Sequence, residues 1–454
     1  MGKLFGTDGI RGKANVYPMS PDLVLRLGQV VGRYFESRSN NPRILIGKDT
    51  RCSGYMLEQA LGAGICSVGV DVGLLGPLPT PGIAYLTRGM RACAGVVISA
   101  SHNSYEDNGI KIFSADGYKL PDHVEQALEG VLMRGFDLDA ASEHSFPTGA
   151  NIGRAKRVDD SIGQYAVFLK EQFPKHLTLD GMRIALDCAH GASYKVAPKV
   201  FEELGGELML RGVSPNGRNI NDQCGATAPK GLVSDVALYR ADIGLAFDGD
   251  ADRLIVVDDQ ADIVDGDQIL AICAKYMKQK KTLKGNTLVA TVMSNMGLDL
   301  AMAELGIKVE RTSVGDRYVV DEMRRGNFAL GGEQSGHLIF RNSQTTGDGI
   351  LAALFLLEIV KETGKPISEL KKCMSLLPQV LRNVEVKAKK PLEELPKLTE
   401  YIAKCEKSLG KKGRVLFRYS GTEKLARVMV EGESQGTIEQ MAGDLAGIAA
   451  EACR

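Results

Sequence analysis

The chain has no apolar run longer than residues 350–357, far short of the roughly 20 residues a membrane-crossing helix needs. It has no net charge either. Its 56 Lys and Arg stand against 56 Asp and Glu, so no broad electrostatic attraction to nucleic acid or to an anionic membrane exists. No Cys-x-x-Cys pair occurs among the nine cysteines. An odd count without framework spacing predicts reduced thiols, most of them small core residues, in a cytoplasmic protein. The opening residues form no apolar signal segment, and Gly6 stands where a myristoylation signal wants Ser or Thr.

What is present is an ordinary folded composition, 44% hydrophobic and 25% charged, over 454 residues. That length is too great for one core and predicts roughly three or four domains. A pattern recurs three times: a strand-like run, a polar turn, a helix closed by Gly, and another apolar strand. It occupies residues 43–69, 182–206 and 287–306. Each terminal Gly is a helix C-cap candidate, and the repeat predicts three related α/β domains with parallel or mixed sheets. A Pro- and Gly-bearing stretch over residues 135–158 reads as a linker. Asp348 precedes an apolar helix over 350–360, followed by a hinge over 361–366. Residues 370–454 carry their own strands and a final helix, a smaller C-terminal α+β domain. The expected domains are therefore 1–150, 151–255, 256–368 and 369–454.

Residues 96–113 organise the chain. Apolar Val96, Val97 and Ile98 end one buried strand and Ile110, Ile112 and Phe113 form another, with a loop between them bearing Ser101, His102 and amides. Lys111 follows within the second strand. Either His102 or Lys111 could take a proton from a hydroxyl, if its pKa is brought near neutrality, with Lys111 favoured as base or phosphate ligand and His102 assisting. Asp248, Asp250 and Asp252 alternate after the apolar run 243–247, and such crowding asks for a cation. An all-oxygen set suits a hard dication, Mg²⁺ first. Glu333, Gln334, Ser335 and His337 stand between glycines that let backbone approach a ligand. Arg418, Ser420, Gly421 and Thr422, with Arg427 beyond, make a plausible anion nest. Arg11 lies in a Gly-rich turn over residues 4–12, and a planar guanidinium suits phosphate oxygens.

Taken together, Ser-Ala-Ser-His-Asn at 99–103, Asp-Asn-Gly-Ile-Lys at 107–111, Asp-Gly-Asp-Ala-Asp-Arg at 248–253, Gly-Glu-Gln-Ser-Gly-His at 332–337 and Arg-Tyr-Ser-Gly-Thr-Glu at 418–423 resemble the motifs of the α-D-phosphohexomutases, in the same order along the whole chain. The resemblance implies four domains, three of them related. It implies that Ser101 is a phosphoserine that passes its phosphate to and from a sugar. It implies one Mg²⁺ held by Asp248, Asp250, Asp252 and a Ser101 phosphate oxygen, with Arg253 beside it. Arg11 would hold phosphate, Glu333 and Ser335 would read sugar hydroxyls, and the nest from Arg418 to Arg427 would grip the phosphate that is not reacting.

Gln334 and the loop carrying Arg317 are similar to the branch of the family that acts on glucosamine phosphate. The implied reaction is interconversion of glucosamine 6-phosphate and glucosamine 1-phosphate through a 1,6-bisphosphate, a step toward the amino-sugar nucleotides of bacterial cell walls. The sibling reactions on glucose or mannose phosphate are the alternative. An Asp-nucleophile phosphatase would leave Ser101 and the sugar loop without roles. The expected partners are small sugar phosphates, with neither nucleic acid nor membrane, in a monomer or homodimer. Two positions depart from the family pattern: Ser104 and Lys424 each stand where Pro is usual, so both loops are expected to be looser.

Overall fold

The computed structural model describes residues 4–6, 8–36, 42–134, 146–419 and 425–453. The chain forms two compact units, Met1–Val292 with Val309–Lys371, and Met293–Lys308 with Lys372–Arg454.

The first unit is built on mixed sheets. One runs, in spatial order, Ile10–Lys13, Asp107–Ser114, Ala94–Ile98, Arg43–Lys48, Asp71–Pro77, Ala155–Arg157. Arg43–Lys48 lies parallel to both Asp71–Pro77 and Ala94–Ile98, and its Ile44, Leu45 and Ile46 have no exposed surface. Continuous apolar runs of this kind are what a sheet covered on both faces requires. The second sheet is ordered Ile263–Val264, Leu254–Val257, Ile243–Phe247, Arg183–Asp187, Glu207–Arg211. The third is ordered Lys308–Thr312, Thr287–Thr291, Leu330–Gly332, Leu338–Phe340.

The threefold repeat is visible in the backbone. Helices Cys52–Ser67, Val196–Glu203 and Met296–Glu304 each end two residues before a glycine with left-handed φ: Gly69 at 87°, Gly205 at 97° and Gly306 at 63°. Only a residue without Cβ turns there at no steric cost, which releases the chain into the next strand.

In the second unit, strands Gln379–Glu385, Leu425–Glu431 and Arg414–Tyr419 form an antiparallel sheet packed with helix Gln435–Ala452 through Val428, Val430, Ile438 and Leu445. This is the expected smaller α+β domain. Among the described residues, no helix is long and apolar enough to cross a membrane.

Candidate active site

Strands Ala94–Ile98 and Asp107–Ser114 pair antiparallel, with Ile98 opposite Ile110, so residues 99–106 are the tip of a hairpin held by buried sheet. Ser101 sits there at 1% exposure with φ of 51°, a left-handed backbone unusual for a side-chain-bearing residue. Its hydroxyl donates to Asp248 Oδ2 at 2.6 Å, and His102 Nδ1 lies 3.4 Å from Ser101 Oγ. Asp248 opens the loop that follows strand Ile243–Phe247. Gly249 next to it is required by space, because a Cβ there would stand 2.5 Å from the Ser101 carbonyl oxygen. Both loops leave the carboxyl ends of their strands, the edge where α/β sheets place ligands.

Asp248, Asp250 and Asp252 are all buried, with ligand oxygens within 4.8 Å of one another. Asp250 Oδ1 and Asp252 Oδ1 have no hydrogen-bond partner. Buried carboxylate oxygens left unpaired are costly, and three converging ones fit a hard divalent cation. Burial first, then repulsion from Asp252 and Asp250, pushes Asp248 well above the ordinary carboxylate range. Burial works the same way on Asp252 but is outweighed by Lys111, then His337 and Arg253, which hold that carboxyl low.

Lys111 Nζ lies 3.0 Å from Asp250, 3.2 Å from Asp8 and 3.6 Å from Asp252, with its side chain 1% exposed. Burial disfavours the ammonium, but these three carboxylates together raise its pKa. His102 moves the opposite way: burial, then Arg253 and Arg11, lowers it to about 4.

The loop 333–337 docks directly on this centre. His337 forms a backbone bridge with Arg253, the Leu254 N–H donates to the Gly336 carbonyl at 3.0 Å, and the His337 ring lies 3.7 Å from both Asp252 and Asp316. Glu333 Oε1 accepts the Gly315 N–H at 3.1 Å, and the buried Ser335 hydroxyl has no partner.

Two expected sugar ligands are turned to other uses. Gln334 Nε2 donates to Asp265 Oδ2 at 3.2 Å, so its amide braces a neighbouring helix start. Arg317 pairs with Asp122 and, at 2.8 Å, with Glu125, both on helix Asp122–Arg134.

Arg11 pairs with Asp8, and its Nη1 approaches the Ala100 carbonyl at 3.5 Å. In the second unit Arg418 and Arg427 stand directly opposite each other on adjacent strands. Burial first, then its neighbour's charge, lowers the Arg418 pKa, a pairing that favours an anion. Ser420, Gly421, Thr422 and Lys424 lie outside the described residues.

Several residues with a part here escaped the sequence reading. Lys119 bridges Asp8 and Asp316, joining segments far apart in the chain, which no local pattern reveals. Thr80, first in helix Thr80–Gly89, donates its hydroxyl to Asp250 Oδ2 at 2.7 Å and its N–H to the Asp250 carbonyl at 3.0 Å. Arg51 is wholly buried beneath the Ser101 loop. Its only sequence signal was a polar turn after a strand whose apolar run marks it as central. Arg51 also donates to the carbonyl of Ser104, the position where Pro is usual.

A buried serine on a hairpin tip, a triad of aspartates facing it and three α/β sheets with a smaller final domain define a phosphohexomutase-type enzyme. The chain belongs to the phosphoglucomutase/phosphomannomutase family, whose α/β/α domains I, II and III match residues 2–136, 164–261 and 265–376, and whose C-terminal domain matches residues 381–448. It is 57% identical over 446 residues to the phosphoglucosamine mutase of Pelobacter propionicus, covering 98% of this chain and 97% of that one. It is 55% identical over 444 residues to the phosphoglucosamine mutase of Myxococcus xanthus, covering 98% and 96%. The fold is similar to the crystal structure of a phosphoglucomutase/phosphomannomutase family protein from Burkholderia thailandensis, with TM-score 0.82, 22% identity and coverage of 99% and 97%. It is also similar to Aspergillus fumigatus N-acetylphosphoglucosamine mutase, solved in complex with GlcNAc-6P and magnesium, with TM-score 0.71, 17% identity and coverage of 99% and 96%.

Proposed function

We propose that this enzyme interconverts glucosamine 6-phosphate and glucosamine 1-phosphate, with Ser101 as the group that carries phosphate. The observation that carries the reading is the Ser101 hydroxyl 2.6 Å from Asp248 within a buried aspartate triad. A serine placed this way has one use that its surroundings favour, exchange of a phosphoryl group beside a cation. Asp248, Asp250 and Asp252 would hold a divalent cation, Mg²⁺ in this reading, which would supply charge to polarise the phosphoryl group.

The chain's own groups do the rest. The P–Oγ bond of phospho-Ser101 breaks as a P–O bond forms to the free sugar hydroxyl, whose proton passes to a base while the departing Ser101 Oγ takes up a proton to become the hydroxyl. The 1,6-bisphosphate then turns over, and its other phosphate returns to Ser101. His102 Nδ1, 3.4 Å from Ser101 Oγ, is placed to move the sugar hydroxyl's proton, although burial and two guanidiniums lower it to about 4 and make the ring a weak base. Lys111, held as an ammonium, donates to phosphate oxygens instead. Glu333 and Ser335 read sugar hydroxyls beside His337, and Arg253 and Arg11 offset phosphate charge. Arg418 and Arg427, with Ser420, Gly421 and Thr422, are assigned the phosphate that is not reacting. The protein acts in the cytoplasm as a monomer or homodimer.

A mutase assay on glucosamine, glucose and mannose 6-phosphates, primed with a sugar 1,6-bisphosphate, tests the proposal. A clear preference in kcat/KM for glucosamine 6-phosphate is expected. Preference for glucose or mannose phosphate would move the enzyme to the sibling reactions.

A further inference from the structure

Arg51 closes the turn after strand Arg43–Lys48 and has no exposed surface. All five of its guanidinium donors find acceptors. Nε donates to Asp49 Oδ2 at 2.8 Å, and Nη1 to the Ser104 carbonyl and, at 3.1 Å, to the Asp107 carbonyl. Nη2 donates to the Ser101 carbonyl at 2.9 Å and to the Asn103 carbonyl at 2.8 Å. Four of the five acceptors are therefore main-chain oxygens, three in the hairpin tip and one on Asp107, the first residue of the strand that follows it. Asp49 Oδ2 also accepts the Ser99 hydroxyl at 2.6 Å, and Ser99 Oγ accepts the Ser101 N–H at 2.9 Å. The N–H and the carbonyl of Ser101 are thus both fixed by one network rooted in Asp49 and Arg51. From the second sheet's side, Asn221 Nδ2 reaches the same Ser101 and Asn103 carbonyls at 2.9 and 3.0 Å.

The network explains how Ser101 keeps a left-handed backbone. Such a φ persists in a non-glycine residue only where surrounding bonds over-determine it. The demand grows once the serine carries phosphate, which adds about −1.5 to −2 charges next to the aspartates. Only a planar five-donor fork can gather four carbonyls and a carboxylate at once, whereas a lysine offers three donors from a single point. Among the described residues, Arg51 makes no hydrogen bond to the Ser101 hydroxyl or to Asp248, Asp250 or Asp252. Its influence on the reaction runs through the main chain.

We propose that Arg51 is the positioning residue for the nucleophile, holding Ser101 in line for phosphoryl transfer through the carbonyls of its loop, with Asp49 and Ser99 completing the hold. The inference rests on Ser101 being the phosphate carrier. Two variants of the full chain test it, Arg51→Lys and Ser99→Ala. Each is assayed for kcat and KM on glucosamine 6-phosphate, and for phosphate uptake onto Ser101 from glucose 1,6-bisphosphate by intact mass. Misplacement of a reacting group by about 1 Å costs about a hundredfold, so kcat of Arg51→Lys should fall about that much while KM changes less than about threefold. Ser99→Ala, which breaks the link from Asp49 to the Ser101 N–H and leaves the Arg51 fork in place, should lose about tenfold in kcat. Uptake of phosphate should slow in parallel in both.

Values of kcat within about twofold of wild type, or losses shared equally by kcat and KM, would overturn the role. If Arg51→Lys does not fold, Ser99→Ala decides alone by the same criteria. If the wild-type chain takes up no phosphate on Ser101, the proposed function itself fails, and the role of Arg51 with it.

Discussion

The Gln334 amide donates to the Asp265 carboxylate at 3.2 Å, and the Gln334 carbonyl accepts the N–H of Gly266, the residue after Asp265, at 3.0 Å. Asp265 caps helix Gly266–Gln279 in a reciprocal capping box with Gln268. Gln334 therefore ties the sugar loop to a helix start. Gln334→Met should lower kcat/KM for glucosamine 6-phosphate and glucose 6-phosphate together, leaving their ratio within about twofold. A tenfold change in that ratio, about 1.4 kcal/mol, would show that the amide swings round to read the amine.

Ser101→Ala should abolish turnover without unfolding the chain, since it removes only a hydroxyl and its hydrogen bond to Asp248. The melting temperature should stay close to that of wild type, and intact mass should show no phosphate uptake. Residual turnover near the wild-type rate would sink the phosphoserine scheme.

Removing one charge from the triad should be felt as a metal effect. Asp250→Asn lacks a carboxylate oxygen that is buried and unpaired in the wild type. Mg²⁺ should raise the melting temperature of wild type and leave Asp250→Asn nearly unmoved, because a ligand that binds the folded state stabilises it by mass action. An equal rise in both would place the cation elsewhere.

Thr80→Val probes the support of the same carboxylate. It keeps the shape and deletes a 2.7 Å hydrogen bond to Asp250 Oδ2. The loss should cost about 1 kcal/mol and raise the Mg²⁺ concentration for half-maximal rate several-fold. An unchanged Mg²⁺ requirement would leave Thr80 with a purely structural part.

A pH test falls on Asp348, whose carboxylate accepts the Tyr165 hydroxyl at 2.7 Å and the Leu351 N–H at 3.0 Å. Burial outweighs these bonds and pushes it up to about 6. An unfolded Asp titrates near 3.9, so between those values the folded state keeps a proton that the unfolded state gives up. The folded state is therefore penalised progressively as pH rises through that window, by about 3 kcal/mol in all. Asp348→Asn has no such term. Its melting temperature relative to wild type should improve from pH 4.5 to pH 7, and a difference constant with pH would refute the shift.

The hairpin around Ser101 was legible because its strands are unbroken apolar runs with the polar residues gathered between them. The aspartate triad was legible from its alternation after such a run. The three helix stops showed as glycines at the same place in each repeat. What stayed hidden depends on partners distant in sequence. Lys119 acquires meaning only between Asp8 and Asp316, and Arg51 only beneath the carbonyls it collects. Arg317 and Gln334 stand in the right loops, yet Asp122, Glu125 and Asp265 claim their side chains. Sequence position cannot show which of two polar neighbours wins.

Residues 293–308 leave the third repeat to pack with residues 372–453. Gly297 has no room for a Cβ because the Ser375 carbonyl stands 2.0 Å from where it would be, Asn295 Nδ2 donates to the Leu377 carbonyl at 3.0 Å, and Arg414 Nη2 donates to the Ser294 carbonyl at 2.7 Å. The last domain is thus not a cassette that can be cut at residue 371 and exchanged with that of a sibling enzyme. A chimera joined there would bring a foreign surface against helix Met296–Glu304, so recombination in this fold has to carry that helix along with the C-terminal domain.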